Sequence, residues 1–174
     1  MPPKNNIGFF TKEDVGTRIT DIKGDVIMST VFIYYSLTGN EDLVASKLAE
    51  KGIDVRPVKL AKPMPKGFFF AMMKGGFLAG IQNRAKLDGF NADVSGYDKV
   101  VIGSPIWNGR ITPAINTVLD KVDLAGKEVA FVLTSGGGSA PKAEERLKNA
   151  FPGAKIVMLK EPKKNEDELS KLDF

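Results

Sequence analysis

Three short segments of the chain combine residue types that can bind anions and planar ligands. SLTGN, residues 36–40, holds two hydroxyls, a glycine and an amide. SPIWNGR, residues 104–110, holds the only tryptophan, and TSGGGS, residues 134–139, holds three adjacent glycines. Each segment follows a run of apolar residues, which is typical of a buried strand. We therefore expect three loops, each leaving the end of a strand.

The first of these segments favours phosphate binding. A helical pattern starts at its end, and the free N–H groups and positive dipole of a helix N-terminus attract anions. The alternative is that Thr38 or Asn40 simply caps the helix. The segment is not a Walker loop, because it lacks the glycine-lysine-hydroxyl ending, and it is not the three-glycine dinucleotide fingerprint.

The other two segments favour contacts to a flat ligand. Trp107 could stack on a planar ring, or it could fold back into the core. Arg110 could bind a phosphate or face solvent. The glycines of 136–138 could bring bare backbone amides close to a ligand, or they could form a flexible turn.

Two residue types that do much enzyme chemistry are missing, since the chain has no cysteine and no histidine. This excludes disulfides, thiolate or histidine metal ligands, cysteine nucleophiles and histidine bases. We expect no metal site. Chemistry must use carboxylates, hydroxyls, lysine, arginine or a bound cofactor. The lack of cysteine also fits a cytoplasmic protein.

The elements that must position these segments alternate between strands and helices. The patterns predict strands at Val31–Tyr35, Ile53–Leu60, Lys99–Gly103, Glu128–Leu133 and Lys155–Leu159, and helices at Asn40–Lys51, Thr112–Val122, Pro141–Ala150 and Asn165–Leu172. This alternation predicts an α/β fold, with a five-stranded parallel sheet of order 2-1-3-4-5. In such a sheet ligands bind at the carboxyl edge where strand order reverses, so the three segments should meet in one crevice.

Two stretches lie outside this pattern. Residues 1–29 form an N-terminal extension, which is either a hairpin turning near Gly24 or a flexible arm, before a domain spanning 30–174. Residues 61–96 contain a cluster of phenylalanines and methionines, which is either a crossover helix packed on the sheet or an apolar wall beside a ligand. No apolar run is long enough to span a bilayer, which takes about 20 residues.

The chain is basic, with a net charge of +4. Residues 60–90 hold five basic side chains and one acidic side chain, a difference of 5 − 1 = 4, so the excess is concentrated there. That segment could meet an acidic partner, a phosphate-bearing ligand or anionic lipid, or it could be a solvated rim.

SLTGN, SPIWNGRITPAI and TSGGGS, in this order and spacing, resemble the flavodoxin-like FMN-binding proteins over residues 30–174. The MMKGGFLAG segment is similar to an insert of flavodoxin-domain oxidoreductases. The resemblance implies a flavodoxin-like three-layer αβα sandwich and FMN as cofactor. By the resemblance, three groups of residues bind it: Ser36, Leu37, Thr38, Gly39 and Asn40 around the phosphate; Pro105, Ile106, Trp107, Asn108 and Gly109 along the isoalloxazine ring; and Ser135, Gly136, Gly137 and Gly138 on the opposite side.

The resemblance also implies a flavoprotein oxidoreductase whose electron or hydride transfer occurs on the flavin, with no catalytic side chain. NAD(P)H or a redox partner would supply the electrons; a homodimer is possible, and no nucleic acid is expected. The alternatives are a non-catalytic electron carrier and a module that has lost its flavin. Glu41 stands where the family usually has a threonine. We expect its side chain to turn outward and FMN to be held more weakly than usual.

Overall fold

A computed structural model describes residues 28–62 and 84–174. The strands within these ranges are β1 (Thr30–Tyr34), β2 (Asp54–Pro57), β3 (Lys59–Leu60), β4 (Leu87–Asp88), β5 (Lys99–Trp107), β6 (Arg110–Ile111), β7 (Glu128–Ser135) and β8 (Lys155–Lys160). The helices are α1 (Asn40–Glu50), α2 (Pro113–Lys121), α3 (Pro141–Ala150) and a terminal 3₁₀ helix, Glu166–Lys171.

The central sheet is parallel and has the order β2-β1-β5-β7-β8. Numbered among the main strands alone, this is 2-1-3-4-5, so the predicted order and the flavodoxin-like α/β class are confirmed. The strand order reverses between β1 and β5. Two short additions extend the arrangement: β6 pairs antiparallel with the end of β5, and β3 pairs antiparallel with β4.

Side chains that alternate along the strands fill two cores, one on each face of the sheet. On one face Val31 and Ile33 of β1 pack with residues of α2 and α3, such as Ile115 and Leu147. On the other face Phe32 of β1 packs with residues of α1 and the C-terminal segment. Because both faces are covered, the strands are apolar along most of their length, and the layers form an αβα sandwich.

Three predicted boundaries are wrong. β5 runs on to Trp107, because Pro105 still pairs with Thr134 of β7. β7 runs on to Ser135, which pairs with Lys160 of β8. The predicted strand at 53–60 is two strands, because β3 leaves the main sheet to pair with β4.

Several predictions fall on residues outside the described ranges. The hairpin or arm within residues 1–29 lies almost entirely there, and so does the cluster of phenylalanines and methionines between 68 and 78. The choice between a crossover helix and an apolar wall in 61–96 therefore stays open, and the described residues 84–96 contribute β4 to it.

Candidate functional site

The carboxyl ends of β1, β5 and β7 meet at a cavity of about 120 Å³. Its lining comes from all three predicted segments and from one further residue: Leu37, Thr38, Asn40, Pro105, Ile106, Trp107, Thr134, Ser135, Gly136 and Glu161. The expectation that the three segments meet at the reversal of strand order is therefore correct.

Not every predicted binding residue borders this cavity. Those that do are Leu37, Thr38, Asn40, Pro105, Ile106, Trp107, Ser135 and Gly136; those that do not are Ser36, Gly39, Asn108, Gly109, Gly137 and Gly138. The second set lies in the same turns, and several of its members shape the backbone. Thr134 and Glu161 border the cavity without having been predicted. Glu161 directly follows β8, at the same edge of the sheet. Its position after a predicted strand is the only feature of the sequence that could have indicated it.

After the turn at 36–40, α1 starts without a cap from any side chain of the described residues. Gly39 is the N-cap residue, in a left-handed conformation with φ 87° and ψ 4°. The alternative that Thr38 or Asn40 caps the helix is therefore wrong. Instead the Asn40 amide donates to the Thr38 hydroxyl at 3.2 Å, and the Gly39 N–H donates to Oγ of Ser36 at 3.2 Å. N–H groups of the first helical turn have no intrahelical partner, so they can serve an anion.

A residue from the C-terminal segment holds this turn. The Lys163 N–H donates to Oδ1 of Asn40 at 3.1 Å, and its Nζ donates to the Thr38 carbonyl at 3.0 Å. Its side chain also lies against Gly39, where an added Cβ would be 3.1 Å from Nζ. Lys163 thus brings a positive charge to the turn. Sequence reasoning missed it, because no local pattern links it to residues so distant in the chain.

The second segment is a hairpin, and the prediction of an irregular loop over 104–110 is wrong. β5 continues through Trp107, and Asn108 and Gly109 make the turn into β6 with φ of 48° and 70°. Two successive positive φ values are typical of the tight turn that Asn-Gly favours. The hydroxyl of Ser104 accepts a hydrogen bond from the Thr112 N–H at 3.1 Å, which ties the hairpin to the start of α2.

Trp107 serves the core and the cavity together. It is 9% exposed and belongs to the core cluster of the α2 face. Its ring meets Tyr35 edge-on, with centroids 6.0 Å apart and planes at 84°. It also lines the cavity. The two alternatives for this residue are therefore not exclusive.

The third wall is the end of β7 and the glycines that follow. Thr134 and Ser135 are still in the strand, and Gly136 begins the turn. A Cβ added at Gly136 or Gly137 would meet no atom of the described residues within 4 Å. Gly138 has φ +70°, and an added Cβ would be 3.0 Å from Cβ of Lys160, so the turn itself needs glycine there.

The expectation that Glu41 turns outward is wrong. The residue is fully buried, and its Oε1 accepts a hydrogen bond from the Thr134 hydroxyl. Its Oε2 has no hydrogen-bond partner within residues 28–62 and 84–174. Burial raises the pKa of this carboxyl to about 7, and the neighbouring Asp42 adds to the rise. The hydrogen bond from Thr134 opposes it, and so do the nearby Glu41 N–H and Ser36 hydroxyl. A buried carboxyl group thus lies between the N-terminus of α1 and β7.

In the two described ranges, no helix has the length and apolar character needed to cross a bilayer.

Comparison with known proteins agrees with this fold. The flavodoxin family model matches residues 29–172. Among solved structures, a protein from Bacteroides eggerthii classed as a flavoprotein is 25% identical, with a TM-score of 0.62 over 83% of this chain and 99% of that chain. A similar protein from Bacteroides uniformis is 26% identical, with a TM-score of 0.61 over 75% and 90% of the two chains.

A flavoprotein from Lactobacillus acidophilus, solved in complex with FMN, is 20% identical, with a TM-score of 0.58 over 81% of this chain and 98% of that chain. No curated protein matches the sequence. The family match covers most of the chain, and the sheet order and the three-walled cavity agree with it. The chain belongs to the flavodoxin family.

Proposed function

We propose that this chain is an FMN-binding flavoprotein oxidoreductase that transfers electrons or hydride through the flavin. The observation that carries the proposal is the meeting of three walls at the reversal of strand order, beside a helix start that no side chain in the described part of the chain caps. FMN as the cofactor is supported by membership of the flavodoxin family and by the FMN complex of the Lactobacillus acidophilus relative.

The residues fit the phosphate end of FMN. The turn at 36–40 offers two hydroxyls and the N–H groups of a first helical turn, and Lys163 adds a cation. Helix N-termini bind phosphates through this combination of free donors and dipole. The buried carboxyl of Glu41 would oppose an anion in this turn, and its raised pKa reduces that opposition at neutral pH.

The residues also fit a flat ring. Pro105, Ile106 and Trp107 form one wall, and the backbone at Ser135 and Gly136 forms the other. The cavity is smaller than the roughly 300 Å³ at which ligand pockets usually begin. Only part of FMN would therefore fit inside it, and the rest would lie against the surrounding loops. When bound, the flavin supplies the one- or two-electron chemistry. The chain orients the ring and sets its electrostatic surroundings.

The electron donor and acceptor belong to the proposal as well. NAD(P)H or a partner reductase would reduce the flavin. The net charge of +4 suits a partner with an acidic surface, since opposite charges speed association. A non-catalytic carrier is the alternative, because the chemistry needs no catalytic side chain in either case. A cytoplasmic location and a homodimer remain predictions.

The first experiment is a titration of the purified full chain with FMN and with riboflavin, followed by quenching of flavin fluorescence. We expect saturable binding of FMN and weaker binding of riboflavin, because riboflavin lacks the phosphate. Absence of FMN binding at any pH would contradict the proposal. NAD(P)H oxidation with a quinone acceptor then distinguishes the enzyme from a carrier, which would be reduced only through a partner reductase.

A further inference from the structure

Glu41 lies at the base of the turn that would hold the flavin phosphate. It is the second residue of α1 and directly follows the 36–40 turn. Its Oε1 accepts a hydrogen bond from the Thr134 hydroxyl, and Thr134 lines the cavity. The nearby Ser36 hydroxyl of the turn also lowers the pKa of this carboxyl. The side chain thus joins two walls of the site from beneath.

The second carboxyl oxygen, Oε2, is buried and has no hydrogen-bond partner in the described part of the chain. Buried polar atoms are rarely left without a partner, because each one loses its hydrogen bonds to water on folding. An unsatisfied atom close to a ligand site is a reason to look for a partner on the ligand. Oε2 is enclosed in the flavin-free chain, and Glu41 does not itself line the cavity, so the 36–40 turn must open slightly for a ligand atom to reach it. A phosphate oxygen in the turn can be that partner only if a proton lies between the two groups, since two anions at close range repel.

We propose that Glu41 and the phosphate of FMN share a proton, with the Glu41 carboxylic acid donating its O–H to a phosphate oxygen. This rests on the proposed binding of FMN. Glu41 is then a specificity-determining residue, and it makes cofactor binding proton-coupled. Starting from a carboxylate and a phosphate dianion, the complex takes up one proton from solvent. No covalent bond between heavy atoms forms or breaks, and no electrons are transferred.

The charges around Glu41 come from several elements. On α1 itself, Asp42 raises the pKa of Glu41, although burial has the larger effect. Tyr34 of β1 and the next residue, Tyr35, lie close enough to be influenced by the charge of Glu41. Burial and the acidic neighbours raise the pKa of both phenols, that of Tyr34 to about 12, so both are neutral here. On β7, the Thr134 partner is a hydroxyl. From the C-terminal segment, Lys163 reaches the turn and Glu161 lines the cavity.

The pKa of Glu41 lies near neutral pH, at about 7. Its acid form is therefore abundant at about pH 6 and scarce at about pH 8. The FMN phosphate also titrates, with a second pKa near 6, so a pH profile of the native chain alone is not sufficient. The change specific to Glu41 is found by comparison with a variant that cannot ionise at this position.

The experiment measures dissociation constants for FMN and riboflavin from about pH 5.5 to 8.5. The native chain is compared with Glu41→Gln, which keeps the size of the side chain and cannot ionise. Asp42→Asn is the matched control, because Asp42 is the exposed neighbour in the same helical turn. Relative to Glu41→Gln, FMN affinity of the native chain should fall about tenfold between pH 6 and pH 8. Asp42→Asn should keep a fall of similar size, displaced slightly to lower pH because Asp42 contributes to the raised pKa of Glu41. Riboflavin affinity should show no such difference.

A second measurement needs no variant to fold. Calorimetric titration with FMN near pH 7.5, in two buffers of different ionisation enthalpy, should show net proton uptake by the native chain. If FMN binds but takes up no proton, and the native and Glu41→Gln profiles coincide, the shared proton is overturned while FMN binding stands. If FMN binds to neither protein at any pH, the proposed function itself fails.

Discussion

At the scale of the single residue, Glu41 should make the stability of the flavin-free chain depend on pH. Its pKa rises from the ordinary 4.5 to about 7 on folding. Below pH 4.5 Glu41 is protonated in both the folded and the unfolded chain, so its burial costs no stability through ionisation. Between 4.5 and 7 the unfolded chain releases its proton while the native chain keeps it, so stability falls as pH rises, and above 7 the loss is complete. The upper bound is roughly 3 kcal/mol.

Glu41→Gln should remove this loss, because glutamine has a similar size and cannot ionise. Urea unfolding of the flavin-free proteins at about pH 5 and pH 8 measures the difference. We expect Glu41→Gln to gain stability relative to the native chain as pH rises. Asp42→Asn should still lose stability with pH, by slightly less than the native chain, because Asp42 contributes to the raised pKa of Glu41. Parallel slopes for the native chain and Glu41→Gln would show that the carboxyl is hydrated and titrates normally.

Trp107 should affect flavin binding separately from its part in the core. Trp107→Ala removes a buried aromatic and should cost about 3–5 kcal/mol of stability, which confounds any binding result. Trp107→Phe keeps an aromatic ring against Tyr35 with less loss. In this variant we expect weaker FMN binding and a shifted flavin potential, while the fold stays close to that of the native chain. Unchanged affinity and potential would place Trp107 in the core alone.

The error over Glu41 shows what sequence reasoning lacks at this scale. Acidic residues in a first helical turn favour the dipole whichever way they point. The partner that draws Glu41 inward is Thr134, on a strand far along the chain. Thr134 was visible as part of TSGGGS, but nothing local links it to residue 41. The type of chemistry was predictable, and the direction of one side chain was not.

At the scale of the element, the 36–40 turn should depend on glycine at position 39. Its φ is +87°, and a Cβ there would be 3.1 Å from Nζ of Lys163. A left-handed conformation costs other residues about 1–2 kcal/mol. Gly39→Ala should therefore lose about that much stability and also bind FMN more weakly, because the phosphate turn and its lysine must shift. Thermal unfolding and FMN titration measure the two effects.

Gly52 provides the matched control for that variant. Its φ is +81°, but an added Cβ meets nothing within 4 Å, and it lies at the other end of α1. Gly52→Ala should cost similar stability through backbone strain and leave FMN affinity unchanged. Equal FMN affinity in both variants would show that the conformation of residue 39 does not shape the phosphate site.

Gly103 is a second point at which an element requires glycine. It lies in the middle of β5, and an added Cβ would be 2.4 Å from the Phe32 ring and 2.7 Å from Cβ of Tyr34. Overpacking of this kind typically costs about 1–3 kcal/mol. Gly103→Ala should thus lower the midpoint of urea unfolding, whereas Gly96→Ala, where a Cβ meets nothing within 4 Å, should change it little. A native-like midpoint for Gly103→Ala would contradict the close packing of β1 on β5.

The same glycine explains one error in the predicted boundaries. The predicted strand KVVIG stops at Gly103, and a glycine inside a strand usually weakens it. In the fold, the space of the missing side chain is filled by Phe32 and Tyr34 from β1, and β5 continues to Trp107. Periodicity identified the five main strands and their order. It could not indicate where pairing with a distant strand prolongs them.

At the scale of the whole molecule, the rule that ligands bind where strand order reverses predicted most of the cavity lining. It brought together segments that lie far apart in the chain, once the sheet order was inferred. It did not predict the C-terminal segment, in which Lys163 holds the turn through Thr38 and Asn40. That contact depends on the path of the chain after β8, for which the sequence has no motif.

The division of the chain into an extension and a flavodoxin-like domain is the prediction that belongs to this scale. Ser29 fixes the entry into the sheet: its N–H donates to Oδ2 of Asp98 at 3.1 Å, its hydroxyl donates to the Gly96 carbonyl at 2.9 Å, and its own carbonyl accepts from Asp98 at 2.8 Å. The family match also begins at residue 29. A chain of residues 28–174, starting at Met28, should therefore fold and bind FMN as the full chain does.

Thermal unfolding and FMN titration of the shortened chain test this division. We expect a melting temperature within a few degrees of the full chain and an unchanged dissociation constant. Adding Ser29→Ala to the shortened chain removes the hydroxyl bond to Gly96, which should cost about 1 kcal/mol and lower the melting temperature by about 2–4 °C. If residues 28–174 fail to fold, or if they fold but lose FMN binding, residues 1–27 are part of the domain. The hydrogen bonds of Ser29 cannot explain such a loss, because the full chain and residues 28–174 both keep this residue.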